Sequence, residues 1–295
     1  MLKKRNFKQN EIAIIYDFDG TLSPQPMQEY TVLPKLGINT KKFWMEVKRV
    51  TKSTSSEEML VYMRLLLEKA EQKRIHIGRG DFKKLAKQIK YFPGVEKWFE
   101  RINLFVENEK QSNIKIKHYL ISAGLKEILL GISIKNHFAR IYASEYYYDH
   151  HDVAKFLKLL ITDTTKTQFL FRINKGKEKL SENINEHMPE SDRPIPFANI
   201  IYIGDGLTDV PCMTVTKHNG GNAIAVYKKG SPKGIKVCRR LLDAKRVNFI
   251  AQADYSKGRD LEKKVKLLLR SIIYNIEYQK ELFKCRRKHE SIKTN

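Results

Sequence analysis

The sequence predicts an α/β fold: a Rossmann-like, mostly parallel sheet flanked by helices, with an α-helical cap inserted after the first strand. Three stretches carry this expectation. Glu11 to Tyr16 is a short apolar run rich in β-branched residues that ends on Asp17-Phe-Asp-Gly, the pattern of a buried strand feeding a tight loop. His118 to Ser122 and Asn199 to Gly204 repeat that shape, and each passes directly into a polar residue or a carboxylate. Open parallel sheets bind their ligands at the carboxyl ends of the strands, so the placement of those polar residues is informative. Asn222 to Tyr227 gives a fourth strand, and Arg140 to Ser144 a weaker fifth.

Helical patterns fill the intervals. From Pro34 to Tyr91 no strand is evident. Ser55-Ser-Glu-Glu58 reads as a capping box, and Met59, Met63, Leu66, Leu67 and Ala70 recur at helical spacing behind it. Asp81 reads as the cap of a further helix carrying Phe82, Leu85, Ala86 and Ile89, and Phe92-Pro93-Gly94 closes the segment. Further helices are expected over Gly94 to Asn108, Lys166 to Ile184, Arg239 to Lys245 and Leu261 to Cys285. The expected division is a core domain beginning at 1–33, a helical cap at 34–91, the rest of the core at 92–285 and a disordered tail at 286–295.

The chain has 295 residues, 41% hydrophobic and 30% charged, as a globular protein with a sizeable core requires. Cys212, Cys238 and Cys285 are few and far apart, which argues against a disulfide framework and for a reducing, cytoplasmic setting. The basic start is followed by an apolar run too short for a signal peptide, and no stretch approaches a membrane span. The net charge is +23. Scattered basic pairs such as Lys41-Lys42 and Lys83-Lys84 favour solvated helix faces over a nucleic-acid surface, so nucleic acid is the second reading and a small phosphorylated metabolite the first.

Chemistry enters with two acidic loops. Asp17-Phe-Asp19-Gly20-Thr21 places two carboxylates just past a buried strand, and Gly20 lets the backbone approach a ligand. Ionised groups there are costly unless paired or metal-bound. Gly204-Asp205-Gly206-Leu-Thr208-Asp209 is a second such loop. Alone it marks an ordinary turn. Together the two loops gather oxygen ligands at one sheet edge, which suits Mg²⁺ completed by water and substrate phosphate.

These residues resemble the haloacid-dehalogenase superfamily. Asp17-x-Asp19-Gly-Thr21 is similar to its first motif, Ser122 to its second, and Gly204-Asp205-x-x-x-Asp209 to its fourth, across about Glu11 to Tyr227. The position of the cap resembles the phosphoserine-phosphatase-like branch. The resemblance implies a Mg²⁺-dependent phosphatase in which Asp17 is the nucleophile and forms an aspartyl-phosphate. It implies that Asp19 is the acid–base group, and that Asp17, Asp205 and the Asp19 carbonyl hold the metal, with Asp209 binding a water on it or orienting the site lysine. Ser122, Thr21 and the site lysine would bind the phosphoryl group, with Thr21 also supporting the loop. The family's third motif is a lysine, with Lys166 the first choice and Lys175 the alternative. A carboxylate at position 19 fits phosphatases and phosphomutases rather than dehalogenases or transport ATPases. The rivals are a phosphomutase on the same fold and a catalytically silent nucleic-acid-binding protein. Cys212 reads as a small buried thiol, His150-His151 as an exposed loop, Tyr146-Tyr-Tyr148 as packing under a loop, and Trp44, Met59 and Met63 as cap core.

Overall fold

Ile12, Ala13, Ile14 and Ile15 have no solvent exposure, so the strand that carries them must lie inside a sheet covered on both faces. The structure, a computed structural model, describes residues 6–76, 78–109 and 113–293. Its strands are β1 (Glu11–Tyr16), β2 (Lys115–Leu125), β3 (Phe138–Tyr148), β4 (Ala154–Leu159), β5 (Ile200–Gly204), β6 (Asn222–Tyr227) and β7 (Phe249–Gln252). They form one sheet in the order β4-β3-β2-β1-β5-β6-β7. Only β3 and β4 pair antiparallel. The carboxyl ends of β1, β2 and β5 therefore share one edge.

Two one-turn helices, α1 (Met27–Tyr30) and α2 (Val32–Lys35), lead from β1 into α3 (Thr40–Thr54), α4 (Glu58–Gln72) and α5 (Arg79–Leu85). The chain returns through α6 (Trp98–Glu109), and a one-turn α7 (Lys126–Leu129) follows β2. Then come α8 (Lys166–Lys175), α9 (Val210–His218), α10 (Pro232–Asp243) and α11 (Asp260–Lys293). One sheet face, with Ala13, Ile15 and Tyr202, packs on Phe169 of α8, Met213 of α9 and Leu241 of α10. The other, with Ile12, Ile14 and Ile203, packs on Phe99 of α6 and Val265 of α11. Val47, Tyr62 and Leu66 of α3 and α4 belong to that second cluster.

Several local expectations are corrected. Ser55 does not open a capping box: it ends α3 in a left-handed conformation (φ 50°), and α4 starts behind Glu57 with no side-chain cap. Asp81 lies inside the first turn of α5, where its carboxylate accepts the Gly78 N–H, so it supports the start without being the cap residue. Helix α8 stops at Lys175 because Gly176 turns left-handed (φ 66°), well short of Ile184. Helix α10 begins earlier than expected, where Ser231 caps Gly234 and proline occupies the first turn. Helix α11 continues through 286–293, where a disordered tail was expected; the stretch beyond Cys285 contains no glycine or proline to end it. The rings of His150 and His151 do not point apart: their centroids lie 3.9 Å from each other in an exposed turn.

A buried polar chain fixes the strand that delivers the first acidic loop. Trp98 Nε1 can only donate, and it does so to Tyr16 Oη at 2.9 Å. The Tyr16 hydroxyl proton therefore goes to His118 Nδ1 at 3.0 Å, leaving His118 Nε2–H to donate to Asn103 Oδ1 at 2.9 Å. Burial pushes the imidazole down to about 3. A histidine held neutral in the fold but free to protonate when unfolded stabilises the protein above its ordinary value near 6.5, and that contribution is lost as pH falls toward 3. Urea unfolding at a series of pH values should show wild type losing stability relative to His118→Gln by up to about 1.4 kcal/mol per pH unit below about pH 6. Parallel curves would refute the buried neutral imidazole.

Candidate active site

The backbone builds the first loop. The Asp17 N–H still donates to Ile203 O (3.0 Å), so β1–β5 pairing carries the Asp17 carboxylate to the sheet edge before the chain turns. The N–H groups of Thr21, Leu22 and Ser23 then converge on Phe18 O. Gly20 has φ +82°, and a Cβ there would stand 2.1 Å from Asp205 Oδ2. Glycine is thus required both for the turn and for the approach of the two acidic loops. Gly204 serves the second loop in the same way, since a Cβ would meet Asp209 Oδ2 at 2.3 Å.

Lys166, the first residue of α8, projects into the space between these loops. Its Nζ lies 2.8 Å from Asp17 Oδ1 and 2.8 Å from Asp209 Oδ1, and the side chain is only 1% exposed. Burial alone would lower its pKa, but the two carboxylates hold it well above its ordinary value. Lys175 lies at the other end of α8, where its ammonium donates to Ile184 O and Glu186 O. Lys166, and not Lys175, therefore lies against Asp17 and Asp209. Asp209 Oδ1 accepts from Lys166 and from Tyr202 Oη (2.7 Å), and its Oδ2 accepts the Asp205 N–H (3.2 Å), so it orients the lysine and the loop and keeps acceptor capacity on Oδ2.

Asp17, Asp205 and Asp209 each bring one oxygen within 4.8 Å of the others. Asp205 is half-buried and, among the described residues, no cation pairs with it. Burial and the charges of Asp17 and Asp209 push its pKa well above the usual carboxylate range, and burial raises Asp17 to about 6. The excess negative charge beside Asp17 fits a divalent ion held by Asp17 and Asp205, with water and phosphate completing its oxygen shell. The Asp19 carboxylate is not one of these three, and its Oδ1 accepts the Met27 N–H at 2.8 Å. Burial, then the charge of Asp17, hold it well above the ordinary carboxylate range.

Thr21 is fully buried, with Oγ1 donating to Asp17 Oδ2 at 3.4 Å and its carbonyl accepting from Tyr255 Oη at 2.9 Å. It supports the Asp17 loop through both bonds. Ser122 lies two residues beyond Leu120, the partner of Tyr16, and so reaches the same edge. The strand does not end there as expected. It continues to Leu125 across a bulge, and Ser122 Oγ accepts the Gly124 N–H. Above the site, Gln28 donates to Tyr62 Oη and Trp44 Nε1 to Glu29. Cys212 is buried, its thiol pushed up to about 12 by burial, and is no nucleophile. Tyr202 and Tyr255 were not singled out in the sequence. The signal for Tyr202 was the period of two in β5, which puts it on the same face as Gly204.

No family model matches the chain. An uncharacterized protein of Borreliella burgdorferi is 31% identical over 281 residues, spanning 87% of this chain and 95% of that protein, and the two belong to one family. A probable phosphoserine phosphatase from Vibrio cholerae superposes with a TM-score of 0.57 at 12% identity, covering 92% of this chain and 67% of the other. A phosphoserine phosphatase solved as its phospho-aspartyl intermediate analogue gives 0.54 at 16% identity, covering 88% and 99%. A HAD family hydrolase from Salmonella enterica serovar Typhi gives 0.55 at 15% identity, covering 83% and 67%. The fold is that of the haloacid-dehalogenase superfamily in its phosphoserine-phosphatase-like form.

Removing the ammonium from this cluster strands two buried carboxylates. Lys166→Ala should cost about 3–5 kcal/mol in denaturant unfolding without divalent ions. A loss below about 1 kcal/mol, the range of an exposed pair, would refute the buried bridge.

Proposed function

For a chain of this fold, we propose a magnesium-dependent phosphatase that hydrolyses a phosphate monoester through an aspartyl-phosphate on Asp17. The observation that carries the reading is the Lys166 ammonium, 2.8 Å from both Asp17 and Asp209, beside an Asp205 carboxylate that has no cation of its own among the described residues. Such an arrangement holds one carboxylate in a fixed attitude for attack and leaves net negative charge that a divalent cation would neutralise. Asp17 and Asp205, with the Asp19 carbonyl, would hold the magnesium ion, which when bound supplies charge neutralisation to the transferring phosphoryl group.

The chain's own groups account for the remaining steps. An Asp17 oxygen attacks phosphorus, the bond from phosphorus to the alcohol oxygen breaks, and the Asp19 carboxyl gives its proton to the departing alkoxide. Asp19, now a carboxylate, takes a proton from a water whose oxygen attacks the same phosphorus. The bond to Asp17 breaks and inorganic phosphate leaves. Its hydrogen bond from the Met27 amide ties Asp19 to the first turn of α1, so the proton carrier is positioned by the start of segment 34–91's lead-in, and that helical segment serves as the cap. Lys166 fixes Asp17 and draws phosphoryl charge toward the buried end of the site. Ser122 contributes a hydroxyl at the adjacent strand end.

Two measurements test this. Asp17→Asn should lose about 10⁴-fold or more in Mg²⁺-dependent hydrolysis of an aryl phosphate while keeping its circular dichroism spectrum, and retained turnover would exclude Asp17 as nucleophile. Asp205→Asn removes a like charge from the cluster. Without divalent ions it should melt above wild type, and Mg²⁺ should raise the melting temperature of wild type but not of the variant. An equal Mg²⁺ shift in both proteins would place the ion elsewhere.

A further inference from the structure

The charge of +23 is not spread evenly over the molecule. Between 228 and 246 eight cationic side chains stand against Asp243 alone. Lys228 and Lys229 follow the carboxyl end of β6, and Lys233, Lys236, Arg239 and Arg240 lie along α10. Lys245 and Arg246 close its far end. All are exposed, and among the described residues none is ion-paired. Some other surface cations have carboxylate partners, as Lys69 has Glu46 and Lys126 has Glu145. Self-repelling charge held on one short helix destabilises a free protein, and a polyanion relieves it.

The position of this surface connects it to the catalytic edge. Strand β6 lies beside β5, with Gly204 paired to Ala225, so Lys228 and Lys229 leave the sheet at the edge where Asp205 stands. Leu207, in the loop after β5, is 67% exposed. Along α10 Lys236, Arg239 and Arg240 share an open face of the helix with Pro232, Ile235 and Asp243. The helix is about 18 Å long at 1.5 Å per residue, enough to meet several phosphates of one strand.

We propose that the phosphate monoester cleaved by this protein is the terminal phosphate of a single-stranded oligonucleotide, whose remaining backbone runs over Lys228 and Lys229 and along α10. The inference rests on the phosphatase reading of the Asp17 site and names its substrate class. Cations at 233, 236 and 240 recur every turn or so and meet phosphodiesters of the strand, while Pro232 and Ile235 beside them offer apolar contact to a base. That contact distinguishes a nucleotide chain from inorganic polyphosphate, which has nothing to bury there. The half-buried Ile235 distinguishes the face from a lipid-binding surface, which calls for protruding apolar anchors.

The test separates binding from turnover. Asp17→Asn protein is titrated with a fluorescent, terminally phosphorylated single strand of about ten nucleotides at several salt concentrations, with and without the further changes Lys236→Glu, Arg239→Glu and Arg240→Glu. The parent should bind with a steep salt dependence, and the triple change should weaken binding at least about 10-fold and flatten the slope by about 2. With Asp17 present, the triple change should lower by a similar factor the ratio of kcat/KM for the oligonucleotide phosphate to that for an aryl phosphate. Salt-independent binding, or a triple variant that binds like its parent, overturns the proposal. So does equal or tighter binding of polyphosphate or of phosphatidylglycerol vesicles. A wild type that cleaves the aryl phosphate but ignores the strand overturns this inference alone. One that binds the strand and cleaves neither ester overturns the phosphatase reading beneath it.

Discussion

The buried ammonium of Lys166 is the constraint on which the rest of the site depends. Three carboxylates from two loops could not share a few ångströms of poorly solvated space without it, because each would push the others toward protonation. Nζ bridges Asp17 and Asp209 and fixes both, Asp205 has no ammonium contact, and the three carboxylates together still outnumber the one cation. The rest of the local architecture serves that arrangement. Two glycines let the loops touch, Tyr202 completes the shell of Asp209, and the β1–β5 register extends as far as Asp17 itself.

What the sequence revealed and concealed follows from where the information resides. The central strands β1, β2, β5 and β6 were legible because each is a continuous apolar run, the mark of burial on both faces. Strand β4 was not, since Lys155, Phe156 and Lys158 are exposed at the antiparallel edge and break any such run. Strand β7 is only four residues long. Asp17, Asp205 and Asp209 stood out because carboxylates after apolar runs are costly. Lys166 could not be separated from Lys175 by composition, because both sit on one helix and only the end facing the sheet edge decides between them. The end of that helix at Gly176 was readable as a glycine stop. Thr21 shows the opposite limit: its place in the motif suggested a phosphate contact, yet only coordinates reveal that its hydroxyl is spent on Asp17. The eight cations after β6 were present in the sequence, but a run of basic residues does not disclose that it starts beside Asp205.

The interior that joins α3 and α4 to the sheet carries a different consequence. Val47, Tyr62 and Leu66 share one uninterrupted apolar cluster with Ile14 and Phe99, and Tyr146 of β3 donates its hydroxyl to Met63 O of α4. The insertion and the sheet are therefore not two bodies on a hinge but a single cooperative unit of melting. Spectroscopic probes placed in either part would report one coincident transition, and neither part cut from the chain would keep its shape alone.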